Sequence, residues 1–157
     1  MSKKKLDTAT DERTDFAHSD IVLKSKDVKK VLLVEDDEQL FGTYSAALLD
    51  HGFEIIGATN GSEAVSKFIE KRPDIVVLDY NLLSPTLGGL ETASEIMEMK
   101  PSAELIILQK RTAGSQGEKV EALGPELILH QPFATVRLIS SVVGVANLRQ
   151  TMALGPR

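Results

Sequence analysis

Two groups of carboxylates stand out because of what precedes them. Ile75-Val76-Val77-Leu78 runs straight into Asp79, and Val31-Leu32-Leu33-Val34 runs straight into Glu35-Asp36-Asp37. Short continuous apolar runs of this kind read as strands buried on both faces, as in a parallel sheet. Acids at their carboxyl ends would lie in the crevice where open α/β sheets bind ligands. If the two strands are neighbours, Glu35, Asp36 and Asp79 meet at one edge. Like charges that close resist joint ionisation, so the cluster calls for a cation. Hard oxygen donors at an aqueous edge suit Mg2+, which keeps several waters and completes its shell with phosphate oxygens. An Asp held beside Mg2+ can accept a phosphoryl group, because the metal neutralises the incoming charge. The plainer alternative is that these acids only cap helices or face solvent. A lone acidic pair would fit that alternative; two apolar strands that each end in acids fit it less well.

The elements that would position the cluster alternate along the chain. After the strand at 31–34, a helix is expected over about 38–51, with Leu40, Tyr44, Ala47 and Leu48 on one face. Asp37 or Glu38 would serve its N-terminus, and Gly52 its left-handed end. A short strand over 54–58 and a helix over 62–71 follow, the helix facing inward with Ala64, Val65 and Phe68. Beyond Asp79 a loop at 80–89 carries Pro85, Gly88 and Gly89, then a helix over 90–100 ends before Pro101. Leu105-Ile106-Ile107-Leu108 reads as a fourth strand and Leu127-Ile128-Leu129 as a fifth, with only a weak helical stretch over 111–123 between them. A last helix, about 134–149, places Ile139, Val142, Val143 and Ala146 on one face. Five strands alternating with five helices imply an open parallel sheet covered on both sides. The strand order 2-1-3-4-5, a flavodoxin-like (βα)5 α/β fold, is the one that joins strands one and three. Residues 1–28 read as a polar arm with one apolar island, Ile21-Val22-Leu23; residues 29–149 form the domain and 150–157 a C-terminal tail.

Composition removes several function classes. The chain of 157 residues carries a formal net charge of −5, with a pI near 5.2, which argues against binding nucleic acid through a basic surface. There is no Cys, hence no disulfide framework or thiolate metal site. No stretch approaches the roughly 18 apolar residues of a membrane span. Met1-Ser2-Lys3-Lys4-Lys5 has no apolar segment behind it, so no secretory signal is expected and the default compartment is the cytoplasm. The Lys3–Lys5 run is read as solvated. His18, His51 and His130 have no metal-ligand spacing, and His130 is expected on the surface.

Four segments together resemble one family, the receiver domains of two-component response regulators. They are Val31 through Asp37, Pro73 through Asp79, Gly88-Gly89-Leu90-Glu91, and Gly124 through Pro132-Phe133. The resemblance spans about residues 29–148. It implies that Asp79 is the phosphoacceptor, that Asp36 binds Mg2+ directly and Glu35 through water, and that Asn81 offers its backbone carbonyl to the metal. It implies a signalling module rather than an enzyme. The departures are specific. Where the family carries Thr or Ser at the end of the fourth strand, this chain has Gln109; where it carries Lys before Pro, this chain has Gln131; the aromatic switch position is Ile128. The loop after Asp79 is about two residues longer than usual, and Pro85 is displaced. Gln131 can donate a hydrogen bond but supplies no charge, and charge-assisted bonds are roughly twice as strong as neutral ones. Lys110, or Arg111, could partly replace the lost cation; the alternative is a solvated loop lysine.

The leading expectation is a stand-alone receiver with no output domain. It would take a phosphoryl group on Asp79 from a histidine kinase or histidine phosphotransfer protein, then act on a protein target. Ile128, Leu129 and His130 lie on the face where receivers bind partners or form homodimers. A degenerate receiver that acts as a phosphorylation-independent interaction module is the alternative. A haloacid-dehalogenase-type phosphohydrolase is further off, since the second Asp such enzymes place two residues on is Asn81 here.

Overall fold

The structure, a computed structural model, describes residues 29–84, 87–110 and 116–154. The expected arm, Pro85 and Arg111 lie outside the described residues. Five strands, β1 (Lys30–Val34), β2 (Glu54–Ala58), β3 (Ile75–Asp79), β4 (Glu104–Lys110) and β5 (Leu127–Gln131), alternate with five helices. These are α1 (Glu38–Asp50), α2 (Gly61–Lys71), α3 (Gly89–Met99), α4 (Gln116–Ala122) and α5 (Thr135–Leu154). The strands form one sheet in the order β2-β1-β3-β4-β5, and every neighbouring pair is parallel. The fold is the expected flavodoxin-like one.

Alternation of side chains along each strand divides the core in two. Val31, Leu33, Ile75, Val77, Ile106, Leu108 and Leu129 face α1 and α5, where they meet Tyr44, Leu48, Leu138, Val142 and Val143. Leu32, Val34, Val76, Leu78, Leu105 and Ile107 face the other way, against Ala64, Phe68, Ala93, Ile96 and Val120. The central strands are therefore apolar through their middles, and polar residues stand only at their ends or beyond. Ile106 sits fully buried in the middle. Ile106→Ala should cost about 2–5 kcal/mol in urea unfolding, the range for a truncated core aliphatic.

Helix starts follow local chemistry. Asp37 caps α1, its carboxylate accepting from the Leu40 N–H at 2.9 Å. Asn60 caps α2 by accepting from the Glu63 N–H at 2.8 Å, so that helix begins at Gly61, one residue earlier than expected. Gly52 takes the left-handed conformation expected after α1, with φ of 90°. Within the described part of the weak stretch, Gln116–Ala122 forms the short helix α4, which buries Val120.

Three elements run well past their expected ends. β4 runs on through Gln109 and Lys110, and β5 through His130 and Gln131, because the two strands pair there: Gln109 with His130 and Lys110 with Gln131. Lys110 is thus a strand residue and not a loop lysine. The last helix continues to Leu154 and takes in much of the expected C-terminal tail. Among the described residues no helix is long and apolar enough to cross a membrane.

Candidate phosphoryl and metal site

The acids at the ends of β1 and β3 do come together. Leu78 pairs with Val34 across the two strands, so both chains leave the sheet at the same level. Glu35, Asp36 and Asp79 each offer an oxygen, all within 4.8 Å of one another. Two of them are withdrawn from water, Glu35 at 1% exposure and Asp79 at 5%.

Hydrogen bonds hold the cluster. The Asn81 N–H donates to Asp79 Oδ1 at 2.9 Å. The Asp37 N–H donates to Glu35 Oε1 at 3.1 Å, while Glu35 Oε2 is buried with no hydrogen-bond partner. The Leu83 N–H donates to Asp36 Oδ2 at 2.8 Å, tying the loop after β3 to the acid across the crevice. The Asn81 side chain also joins the end of β4 to the turn after Asp79, its Oδ1 accepting from the Lys110 N–H at 3.0 Å.

The electrostatics follow from burial. Glu35 is pushed up to about 8, chiefly by burial, then by the charge of Asp79; the Asp37 N–H opposes the shift. Asp79 is also raised, again first by burial, with Asp36 adding to it. The Asn81 N–H and the charge of Lys110 pull it back. A cluster that holds protons with such tenacity is short of positive charge. The donor set is all hard oxygen, and the orphaned Glu35 Oε2 lacks a partner; both fit a divalent cation such as Mg2+.

The other expected site residues are placed as follows. Gln109 is 3% exposed at the end of β4. Lys110 is exposed. Gln131 does not leave its amide free: Nε2 donates to Tyr44 Oη at 3.4 Å. Tyr44 was legible only as a core residue of α1. Its ring lies 5.7 Å from that of Phe133, and its phenol is raised, mainly by burial. Leu40, Tyr44, Lys110, Gln131, Pro132 and Phe133 line a pocket of about 400 Å³ beside the cluster. On the expected partner face, Leu129 must be struck out. It is 1% exposed and belongs to the core under α1 and α5, because alternation turns it inward between Ile128 and His130. Ile128 is half-buried and His130 exposed.

Comparison with known proteins agrees with this fold. The response regulator receiver domain family matches residues 31–143, and the chain belongs to that family. It is 32% identical over 122 residues to chemotaxis protein CheY of Thermotoga maritima, covering 76% of this chain and 98% of that protein. It is 36% identical over 120 residues to chemotaxis protein CheY of Listeria monocytogenes, covering 74% and 98%. Against the transcriptional regulatory protein PrrA of Mycobacterium leprae it is 30% identical over 81% of this chain but only 57% of that longer protein. Among solved structures, the signal receiver domain of a modulated diguanylate cyclase from Desulfovibrio desulfuricans superposes with a TM-score of 0.70 at 26% identity, covering 80% and 99%. Receiver domains are signalling modules, and as a family they bind Mg2+ at an acidic cluster and interact with histidine kinases or phosphotransfer proteins. This membership replaces the haloacid-dehalogenase-type reading.

Proposed function

We propose that this chain is a receiver that accepts a phosphoryl group on Asp79 from a histidine kinase or histidine phosphotransfer protein. The observation that carries the reading is the meeting of Asp79 with Glu35 and Asp36 at the crevice, all three oxygens within 4.8 Å. An Asp79 oxygen attacks phosphorus, an acyl phosphate forms, and the donor P–N bond breaks with its electron pair left on the imidazole. Bound Mg2+ would offset the charge of the acids and of the incoming phosphoryl group. Asp36 and Asp79 would hold it directly, Glu35 through water, and Asn81 through its backbone carbonyl. Gln109, Lys110 and Gln131 border the place the phosphoryl group would occupy. The signal then passes by protein contact in the cytoplasm, over the face that carries Ile128 and His130, to a target protein or a second copy of the chain. Acidity speaks against nucleic acid as the partner.

The degenerate receiver remains a second reading, favoured by one observation: the Gln131 amide is engaged with Tyr44, where a charged side chain would have faced Asp79. Beryllofluoride, a phosphoryl mimic, separates the two. With Mg2+, 19F NMR should show bound fluoride resonances on the wild type and none on Asp79→Ala. A wild type without bound resonances would favour the degenerate module.

A further inference from the structure

We propose that Lys110 supplies the cation of this phosphoryl site, moved one strand inward from β5, where Gln131 now stands. The inference rests on the reading of Asp79 as phosphoacceptor. Asp79 pairs with Leu108, and paired residues of a parallel ladder point to the same face. Lys110 lies two residues beyond Leu108, so its side chain leaves the sheet on the face of Asp79, at the mouth of the crevice. The end of β4 is fixed to the acceptor turn through two hydrogen bonds, Lys110 N–H to Asn81 Oδ1 at 3.0 Å and Asn81 N–H to Asp79 Oδ1 at 2.9 Å. The anchoring group is the backbone of Lys110, which leaves its ammonium free to serve another oxygen. Next to it in register, Gln131 has given its amide to Tyr44. The two residues share one pocket wall, so the roles of cation and packing group have changed places between adjacent strands. In the transfer itself the Lys110 ammonium donates a hydrogen bond to a phosphoryl oxygen as the bond from Asp79 forms and the donor P–N bond breaks, its electron pair leaving with the protonated donor group; Lys110 keeps its own proton.

The test is the initial rate at which the full chain gains a phosphoryl group from phosphoramidate with Mg2+, read by intact mass. Lys110 is exposed, so its variants should fold, which circular dichroism verifies. Lys110→Ala and Lys110→Gln should each slow the reaction roughly tenfold or more, the effect of a lost charge-assisted hydrogen bond. Both variants keep the backbone bond to Asn81, so a structural role would leave the rate unmoved. Lys110→Arg should keep most of the rate. Adding Gln131→Lys to Lys110→Ala should restore it, since the charge returns from the neighbouring strand. Variants that react at the wild-type rate, or a loss that Gln131→Lys does not restore, would overturn the proposal while leaving Asp79 as acceptor. A wild type that gains no phosphoryl group would overturn both.

Discussion

The metal-free protein is expected to lose stability as the pH rises from about 4.5 to about 8, and Mg2+ to give it back. The cause is Glu35, whose carboxyl moves from 4.5 to about 8 on folding, first through burial and then through Asp79. Below the lower value both folded and unfolded chains hold the proton, and the full stability is present. Between the two values the unfolded chain ionises while the folded one still binds a proton, so stability falls as pH rises. Asp79 is raised as well and acts in the same sense. A divalent cation binds the ionised acids, so its stabilising effect should be larger at pH 8 than at pH 5. Replacing the carboxylate tests the cause. Glu35→Gln removes a buried charge and its orphaned oxygen, and should stabilise the metal-free protein by about 1–3 kcal/mol at pH 8 while weakening its response to Mg2+. Urea titrations with chelator and with Mg2+, at both pH values, read all of these effects. A metal-free stability that climbs with pH through this window would contradict the electrostatics of the cluster.

Gly89→Ala should be the most damaging single methyl added near the site. Gly89 opens α3, and a Cβ there would run into the carbonyl oxygen, carbonyl carbon and Cα of Tyr80. These are backbone atoms and cannot swing aside. Tyr80 follows Asp79 directly, and its N–H donates to the Leu108 carbonyl at 2.8 Å. A shift of Tyr80 therefore moves the acceptor, the Asn81 turn and the end of β3 together. A cost of about 1–3 kcal/mol is expected, the usual range for forcing volume into a packed contact, along with weaker Mg2+ binding. Gly88→Ala is the control, since a Cβ at Gly88 meets only the movable carboxylate end of Glu91. Equal stability of the two variants would count against this account of the glycine pair.

These two results touch what the sequence made visible and what it hid. Val31–Val34 and Ile75–Leu78 could be read as buried strands because burial on both faces leaves no polar position. Their terminal acids stood out for the same reason. The pairing of β1 with β3 needed only the topology of short right-handed connections. That β4 continues through Lys110 was hidden because the polarity of Gln109 and Lys110 gives no strand signal. Only their pairing with His130 and Gln131, a contact distant in sequence, makes them strand. Tyr44 showed its helical face but not its hydroxyl, since its contact with Gln131 joins residues 87 positions apart. Leu129 was misplaced because the outward face of β5 was assigned as a block, whereas a strand alternates. The Gly88-Gly89 pair was legible as a motif; that Gly89 and not Gly88 lies against Tyr80 needed coordinates.

Asp79 as the phosphoacceptor can be put to one direct trial, intact-mass analysis of the full chain after incubation with Mg2+ and phosphoramidate, with Asp79→Asn alongside. The arrangement of Asp79 with Glu35 and Asp36 predicts one phosphoryl adduct on the wild type, lost when Mg2+ is chelated, and none on the variant. An adduct that survives Asp79→Asn, or a wild type that stays unmodified while Mg2+ is bound, would contradict it.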